Sequence, residues 1–212
     1  MKTAIVGLGN IGSRVARNLV EGGERIIVAD RTLAKAERLA TALGAAATPM
    51  TIAAAVAEAD VVILAVDLDA IKELLQRHRS DLAGKVIVDP SNPIGPDGKG
   101  GFRKTIAEDQ SSGQLLAALI PHDAELVKAF GTLAAPSLES GANRQPEKAV
   151  LFYATDFPEA GRVASRLIAA SGFVPVPVGG IDQSRRIEVF GDLHEMGALG
   201  KLVGLEEANA LV

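Results

Sequence analysis

Gly7-Leu8-Gly9-Asn10-Ile11-Gly12 is the first run of this chain whose residue types and spacing can do chemistry. It fits G-x-G-x-x-G, a turn that offers backbone N–H groups to a phosphate. Each glycine has its own task. Gly7 permits the tight turn, Gly9 leaves out a Cβ that would hold a pyrophosphate off the backbone, and Gly12 lets a helix pack closely on a strand. The free N–H groups beginning at Asn10 and Ile11, with the helix dipole, complete an anion site. In a chain of 22 glycines the pattern alone is weak. Its place after an apolar strand and at the start of a helix makes it a dinucleotide-binding expectation.

The next candidate group is Ala29-Asp30-Arg31-Thr32, with Lys35 one turn further on. Asp30 lies 18 residues after Gly12, where an acid can accept both hydroxyls of an adenosine ribose and repel a 2′-phosphate. That reading says NAD(H). Arg31, the Thr32 hydroxyl and Lys35 can instead converge on a 2′-phosphate at a helix N-terminus. That reading says NADP(H), and three converging donors favour it, with Asp30 turned away or paired with Arg31. Both readings stay open at this point.

Three further segments follow strands and so fall at a sheet's carboxyl edge, where ligands of open α/β sheets bind. In Ala65–Asp69, Val66 can pack on a nicotinamide and Asp69 can cap the next helix. In Asp89–Ile94, Asn92 both donates and accepts, which suits a carboxamide, between the fixed φ angles of Pro90 and Pro93. In Val127–Thr132, Phe130 reads as core rather than as a stacking platform.

Conventional acid–base and metal chemistry is poorly supplied. There are no cysteines and three histidines: His78, His122 and His194. His78 reads as a helix-end residue and His122 as a surface turn residue. His194-Glu195 lacks the second histidine of a zinc helix, since position 198 is Ala198. No metal site is expected and no residue is assigned a catalytic role; His194 is a candidate for the rim of a second pocket. Net charge is −4, aromatics are 3% of the residues, and Trp is absent, which argues against a nucleic-acid partner. No apolar run approaches the ~20 residues of a membrane span, and the N-terminus lacks a signal-peptide layout. The expectation is a cytoplasmic protein whose chemistry comes from a cofactor.

The elements that must position these groups are legible from periodicity. Thr3–Val6, Arg25–Ala29, Val61–Val66 and Lys85–Val88 read as strands buried on both faces. Ile11–Glu21, Leu33–Leu43, Thr51–Glu58 and Asp69–His78 read as helices between them. The fold class is α/β, a doubly wound, mainly parallel sheet of Rossmann type with a small C-terminal α/β appendage. Pro90–Arg103 reads as a long surface loop, of a length that is usually functional or disordered. It is followed by a helix at Ser112–Leu119, a strand at Glu125–Phe130, an irregular stretch to Lys148, a strand at Ala149–Thr155, a helix at Pro158–Ala170, a strand at Phe173–Val178 and a mainly helical tail to about Val203. Residues 1–130 read as the dinucleotide-binding domain. Residues 131–212 read as a smaller part that extends the same sheet and helps to form a homodimer through Leu193, Met196, Leu199, Leu202 and Val203.

Taken together, Ile5–Gly12, Asp30–Lys35, Val88–Pro93, Val127–Thr132 and Gly179–Glu188 resemble the coenzyme F420-dependent NADP oxidoreductase family over nearly the whole chain. The resemblance implies that Gly7–Gly12 hold the pyrophosphate and that Arg31, Thr32 and Lys35 hold the 2′-phosphate. It also implies that Asn92, Pro93 and the turn Phe130-Gly131-Thr132 wall the nicotinamide and deazaflavin rings; Ser91, beside Asn92 at a strand end, and His194 are rim candidates from their own positions. The chain departs from the family pattern at Gly131, where an Asn or His is common, and at Asp30, where a small polar residue is common. The function expected is hydride transfer between NADP(H) and a planar partner such as coenzyme F420 or a flavin. The alternatives are a reductase of a small imine, keto acid or hydroxy acid, and an NADP(H)-sensing module without turnover.

Overall fold

The structure, a computed structural model, describes residues 1–212. Six parallel strands form the main sheet: β1 (Thr3–Val6), β2 (Ile26–Ala29), β3 (Ala47–Met50), β4 (Val61–Leu64), β5 (Val86–Asp89) and β8 (Glu125–Lys128). Their order is β3-β2-β1-β4-β5-β8, so the chain reverses direction across the sheet between β1 and β4. That is the doubly wound arrangement, and it opens a crevice beyond the carboxyl ends of β1 and β4.

The continuous apolar runs have a direct cause. Ile5, Val28, Ile63, Val88 and Val127 face one layer, where they pack with Val15 and Leu19 of α1 (Asn10–Glu21), Leu39 of α2 (Leu33–Leu43) and Leu167 of α7 (Pro158–Ala170). Val6, Ile27, Leu64, Ile87 and Leu126 face the other, against Val56 of α3 (Ile52–Glu58), Ile71 and Leu75 of α4 (Leu68–Arg77) and Leu116 of α5 (Ser112–Ala117). Both residue parities along each strand are buried, so alternation disappears.

Three parts differ from expectation. The stretch from Pro90 to Arg103 is not an open loop. It contains an antiparallel hairpin of β6 (Ile94–Pro96) and β7 (Phe102–Lys104), closed by Asp97, whose carboxylate accepts the N–H groups of Lys99 and Gly101. A short helix, α6 (Ala135–Ser140), interrupts the stretch expected to be irregular. The tail opens with a 3-10 turn (Ile181–Gln183) and α8 (Ser184–Ile187), is then mostly turns to Val203, and ends in α9 (Leu205–Asn209). Its glycines, Gly191, Gly197 and Gly200, interrupt the helical spacing.

The last two strands, β9 (Val150–Tyr153) and β10 (Val174–Pro177), pair in parallel. One antiparallel bridge, Lys128 to Ala154, ties them to the edge of the main sheet. The apolar tail residues are largely used inside the chain. Leu193 and Val203 are buried, Leu199 and Leu202 are half-buried, and Met196 alone is exposed. They therefore leave little of the apolar surface on which the expectation of a dimer rested.

Candidate functional site

The glycine turn is built as its sequence implies. Gly7 sits at φ +93°, and a Cβ there would overlap Val66 and the Ala65 carbonyl. A Cβ on Gly12 would overlap the Gly7 carbonyl oxygen, so the helix-to-strand approach requires glycine. Gly9 is the opposite case: a Cβ would meet nothing within 4 Å. Space over Gly9, tight packing under Gly7 and Gly12, and the N-terminus of the 12-residue helix α1 together fit a pyrophosphate.

Two cavities flank this turn and share Ala65, Val66 and Asp67. The first, about 370 Å³, is bounded by Gly7, Gly9, Asp30, Arg31, Lys35 and, from α4, Glu73 and Arg77. The second, also about 370 Å³, lies over Asn10 and Ile11 and is walled by Ser91, Asn92, Ile94, Phe102, Leu133, Val189, His194 and Met196. One crevice thus runs from the end of β2, past the glycine turn, to the end of β5.

At the first end, the Asp30 carboxylate points into the turn. Its Oδ2 accepts the Leu8 N–H at 2.9 Å and lies 3.1 Å from Lys35 Nζ, while Oδ1 accepts the Thr32 N–H at 3.2 Å. Burial works against ionisation of Asp30, but the hydrogen bonds from Leu8 and Thr32 and the charge of Lys35 outweigh it and hold its pKa below the usual carboxylate value. Asp30 pairs with Lys35, not with Arg31, and Arg31 forms no salt bridge. Thr32 is the N-cap residue of α2, but its hydroxyl makes no capping bond.

At the second end, Asn92 is already committed. Its Nδ2 donates to the Gly131 carbonyl at 2.9 Å and its Oδ1 accepts the Val189 N–H at 2.7 Å, so it joins the end of β5 to two distant segments. Gly131 is needed for this, because a Cβ there would come within 2.9 Å of the Pro90 carbonyl oxygen. Phe130 lies wholly in the core with φ +66°, and Pro93 is buried; neither Phe130, Gly131 nor Pro93 reaches the cavity wall. Ile94, Phe102, Leu133 and Met196 form the apolar wall instead. The cap of α4 is Asp67, which accepts the Ala70 N–H at 3.0 Å, whereas Asp69 pairs with Lys72 on the surface.

His194 is buried against this end, and its Nδ1 accepts the Met196 N–H at 2.9 Å. Burial lowers its pKa to about 4, against the opposing pull of the Gly131 carbonyl and with help from the Lys128 charge. It is therefore neutral near pH 7. His78 caps the end of α4 near Asp81, and His122 is an exposed turn residue.

Sequence reading missed the group beneath the rim. Lys128 is buried, with Nζ 2.7 Å from Asp89 Oδ2, 2.7 Å from Ser112 Oγ and 3.5 Å from Glu188 Oε1, and it also bonds the Ser91 carbonyl. Glu188 accepts the N–H groups of Ser112 and Gly113 and the Ser112 hydroxyl. Every charge is thus paired and hydrogen-bonded, as burial demands. The signal was present as a lysine ending an apolar strand and an aspartate ending another; their pairing was not legible.

No helix is long and apolar enough to cross a membrane, and no cluster of His, Asp or Glu is arranged to hold a metal ion. Comparison with known proteins places these features. The model of the family described as NADP oxidoreductase coenzyme F420-dependent matches residues 2–93. The chain is 29% identical to the metalloreductase STEAP3 of Rattus norvegicus over 88% of its own length but only 36% of that protein's. Among solved structures, hypothetical protein SMa0349 of Sinorhizobium meliloti superposes with a TM-score of 0.84 at 28% identity, covering 97% of this chain and 96% of that one. A protein of Arthrobacter sp. FB24 described as an F420-dependent NADP-reductase superposes with a TM-score of 0.74 at 21% identity, covering 87% of each chain. The part of the chain that carries the glycine turn, residues 2–93, is thus similar to the coenzyme F420-dependent NADP oxidoreductase family.

Proposed function

We propose that this protein transfers hydride between NADP(H) and an uncharged planar redox ring of the deazaflavin or flavin type. In this reading the pyrophosphate lies over Gly9 and the N-terminus of α1, and Arg31, Thr32 and Lys35 meet the 2′-phosphate. The nicotinamide lies against Val66 and Ile11 in the second cavity. NADP(H) supplies the hydride or takes it up. The chain's own residues bind and orient the two rings; the proton that balances hydride gain by the neutral ring comes from solvent, so none of them has to move a proton. Ser91, Asn92 and His194 act there by shaping the rim.

The observation that carries the reading is the charge inventory of the second cavity. Its wall holds no Lys or Arg, its one histidine is neutral, and its single acidic side chain is Asp67. A keto or hydroxy acid would enter with a carboxylate and find no cation, which is unfavourable in a partly dry cleft. An uncharged ring finds Ile94, Phe102, Leu133 and Met196.

The test is to mix the protein with NADPH and one acceptor at a time and follow the nicotinamide absorbance. The acceptors are coenzyme F420, FMN, FAD, a keto acid and a cyclic imine. Turnover with a ring acceptor and none with the keto acid is expected. Turnover with the keto acid or imine alone would overturn the choice of partner. Tight NADPH binding with no turnover on any acceptor would point to a sensing module.

A further inference from the structure

We infer that Asp30 is a staple of the glycine turn rather than a reader of the adenosine ribose, and that Lys35 leaves it to meet a 2′-phosphate. The inference deepens the proposed function and rests on its dinucleotide site. An acid at the end of the second strand commonly marks an NAD(H) site because both its oxygens accept the ribose diol. In this chain that capacity is spent. Oδ2 already holds the Leu8 N–H and the Lys35 ammonium, and Oδ1 holds the Thr32 N–H. A carboxylate accepts about four hydrogen bonds, so while Lys35 stays, as it does with no 2′-phosphate to draw it away, one site is left, too few for the two hydroxyls of a diol.

The direction of those bonds matters as much as their number. Leu8 lies inside Gly7–Gly12, 22 residues from Asp30, so the bond ties the end of β2 to the phosphate turn. Thr32 N–H belongs to the entry of α2, and holding it pins the first turn of that helix against the same carboxylate. Lys35 is meanwhile held at the mouth of the first cavity, with a side chain 41% exposed, beside an Arg31 that has no anionic partner. A 2′-phosphate arriving there meets one free guanidinium and one ammonium whose present partner is also satisfied by two backbone N–H groups. Lys35 can change partners without leaving Asp30 bare. The negative charge of Asp30 is thereby retained in a site that takes up another anion.

The experiment measures Kd for NADPH and NADH, from nicotinamide fluorescence, together with the melting temperature of the cofactor-free protein. It uses the wild type, Lys35→Gln and Asp30→Asn. The wild type should prefer NADPH by tenfold or more. Lys35→Gln should weaken NADPH about tenfold and leave NADH within threefold. Asp30→Asn should melt lower than the wild type without any cofactor, and NADH binding should not suffer more than NADPH binding. The inference is overturned if Asp30→Asn loses NADH tenfold while NADPH is unaffected, or if its cofactor-free melting temperature is unchanged. A wild type that binds neither dinucleotide would refute the proposed function itself; the melting comparison would still judge the staple.

Discussion

Gly9→Ala separates binding from folding more cleanly than any other change at this site. Gly9 has φ −74° and ψ −153°, a conformation open to alanine, and the new Cβ would meet nothing within 4 Å. Two small effects on stability oppose each other. Removing a glycine restricts the unfolded chain, worth about 0.4–1 kcal/mol. Glycine is, however, the better N-cap, by a few tenths to about 1 kcal/mol. The net change should stay within about 1 kcal/mol, or roughly 2–4 °C in Tm for a chain of this size. Binding should respond very differently, because the methyl group occupies the space through which a pyrophosphate approaches the N–H groups of α1. Loss of one or two hydrogen bonds to a charged group costs roughly 1.5–6 kcal/mol. That is at least a tenfold rise in Kd for NADPH, at about 1.4 kcal/mol per factor of ten. The protein has no Trp, so the signal in a titration comes from the nicotinamide. Unchanged affinity with an unchanged Tm would refute the assignment of the open space over Gly9 to the pyrophosphate.

Gly12→Ala should behave in the opposite sense, with a large fall in Tm before any cofactor is added, because its Cβ overlaps the Gly7 carbonyl; thermal denaturation decides this. Lys128→Met leaves Asp89 and Glu188 buried without their shared cation, and urea denaturation should show a loss of about 3–5 kcal/mol. His194 is expected to make stability pH-dependent. Its pKa falls from 6.5 to about 4 on folding, so the native state resists protonation while the unfolded state accepts it. Its contribution is complete above pH 6.5 and is lost as pH falls toward 4, up to on the order of 3 kcal/mol. Urea denaturation of the wild type and His194→Gln across that range should show a shallower slope in the variant; parallel slopes would reject this role for His194.

Much of the fold was legible because its causes are local. A strand covered on both faces must be apolar along its whole length, so Thr3–Val6 and the later strands stood out. Leu33–Leu43 and Pro158–Ala170 carry helical spacing and coincide with α2 and α7. Where local signals are mixed, tertiary contacts decide the outcome. Four glycines and three prolines between Pro90 and Gly101 suggested an open loop, although Asp97 folds them into a hairpin. Ala47–Met50 is too short, and its Pro49 too unusual for a strand, to be recognised without β2 beside it.

The same division runs through the site. By itself the sequence determined the parallel α/β layering and the position and backbone geometry of the glycine turn, because hydrophobic period and missing Cβ atoms act within a few residues. Tertiary structure alone decided which polar groups remain free. Asp30 is consumed by Leu8, Asn92 by Gly131 and Val189, and Lys128 by partners up to 60 residues away in Glu188 and 39 in Asp89. A side chain has few donors and acceptors, and burial obliges it to use them on whatever the fold brings near. What is left for a ligand is therefore a property of the folded chain.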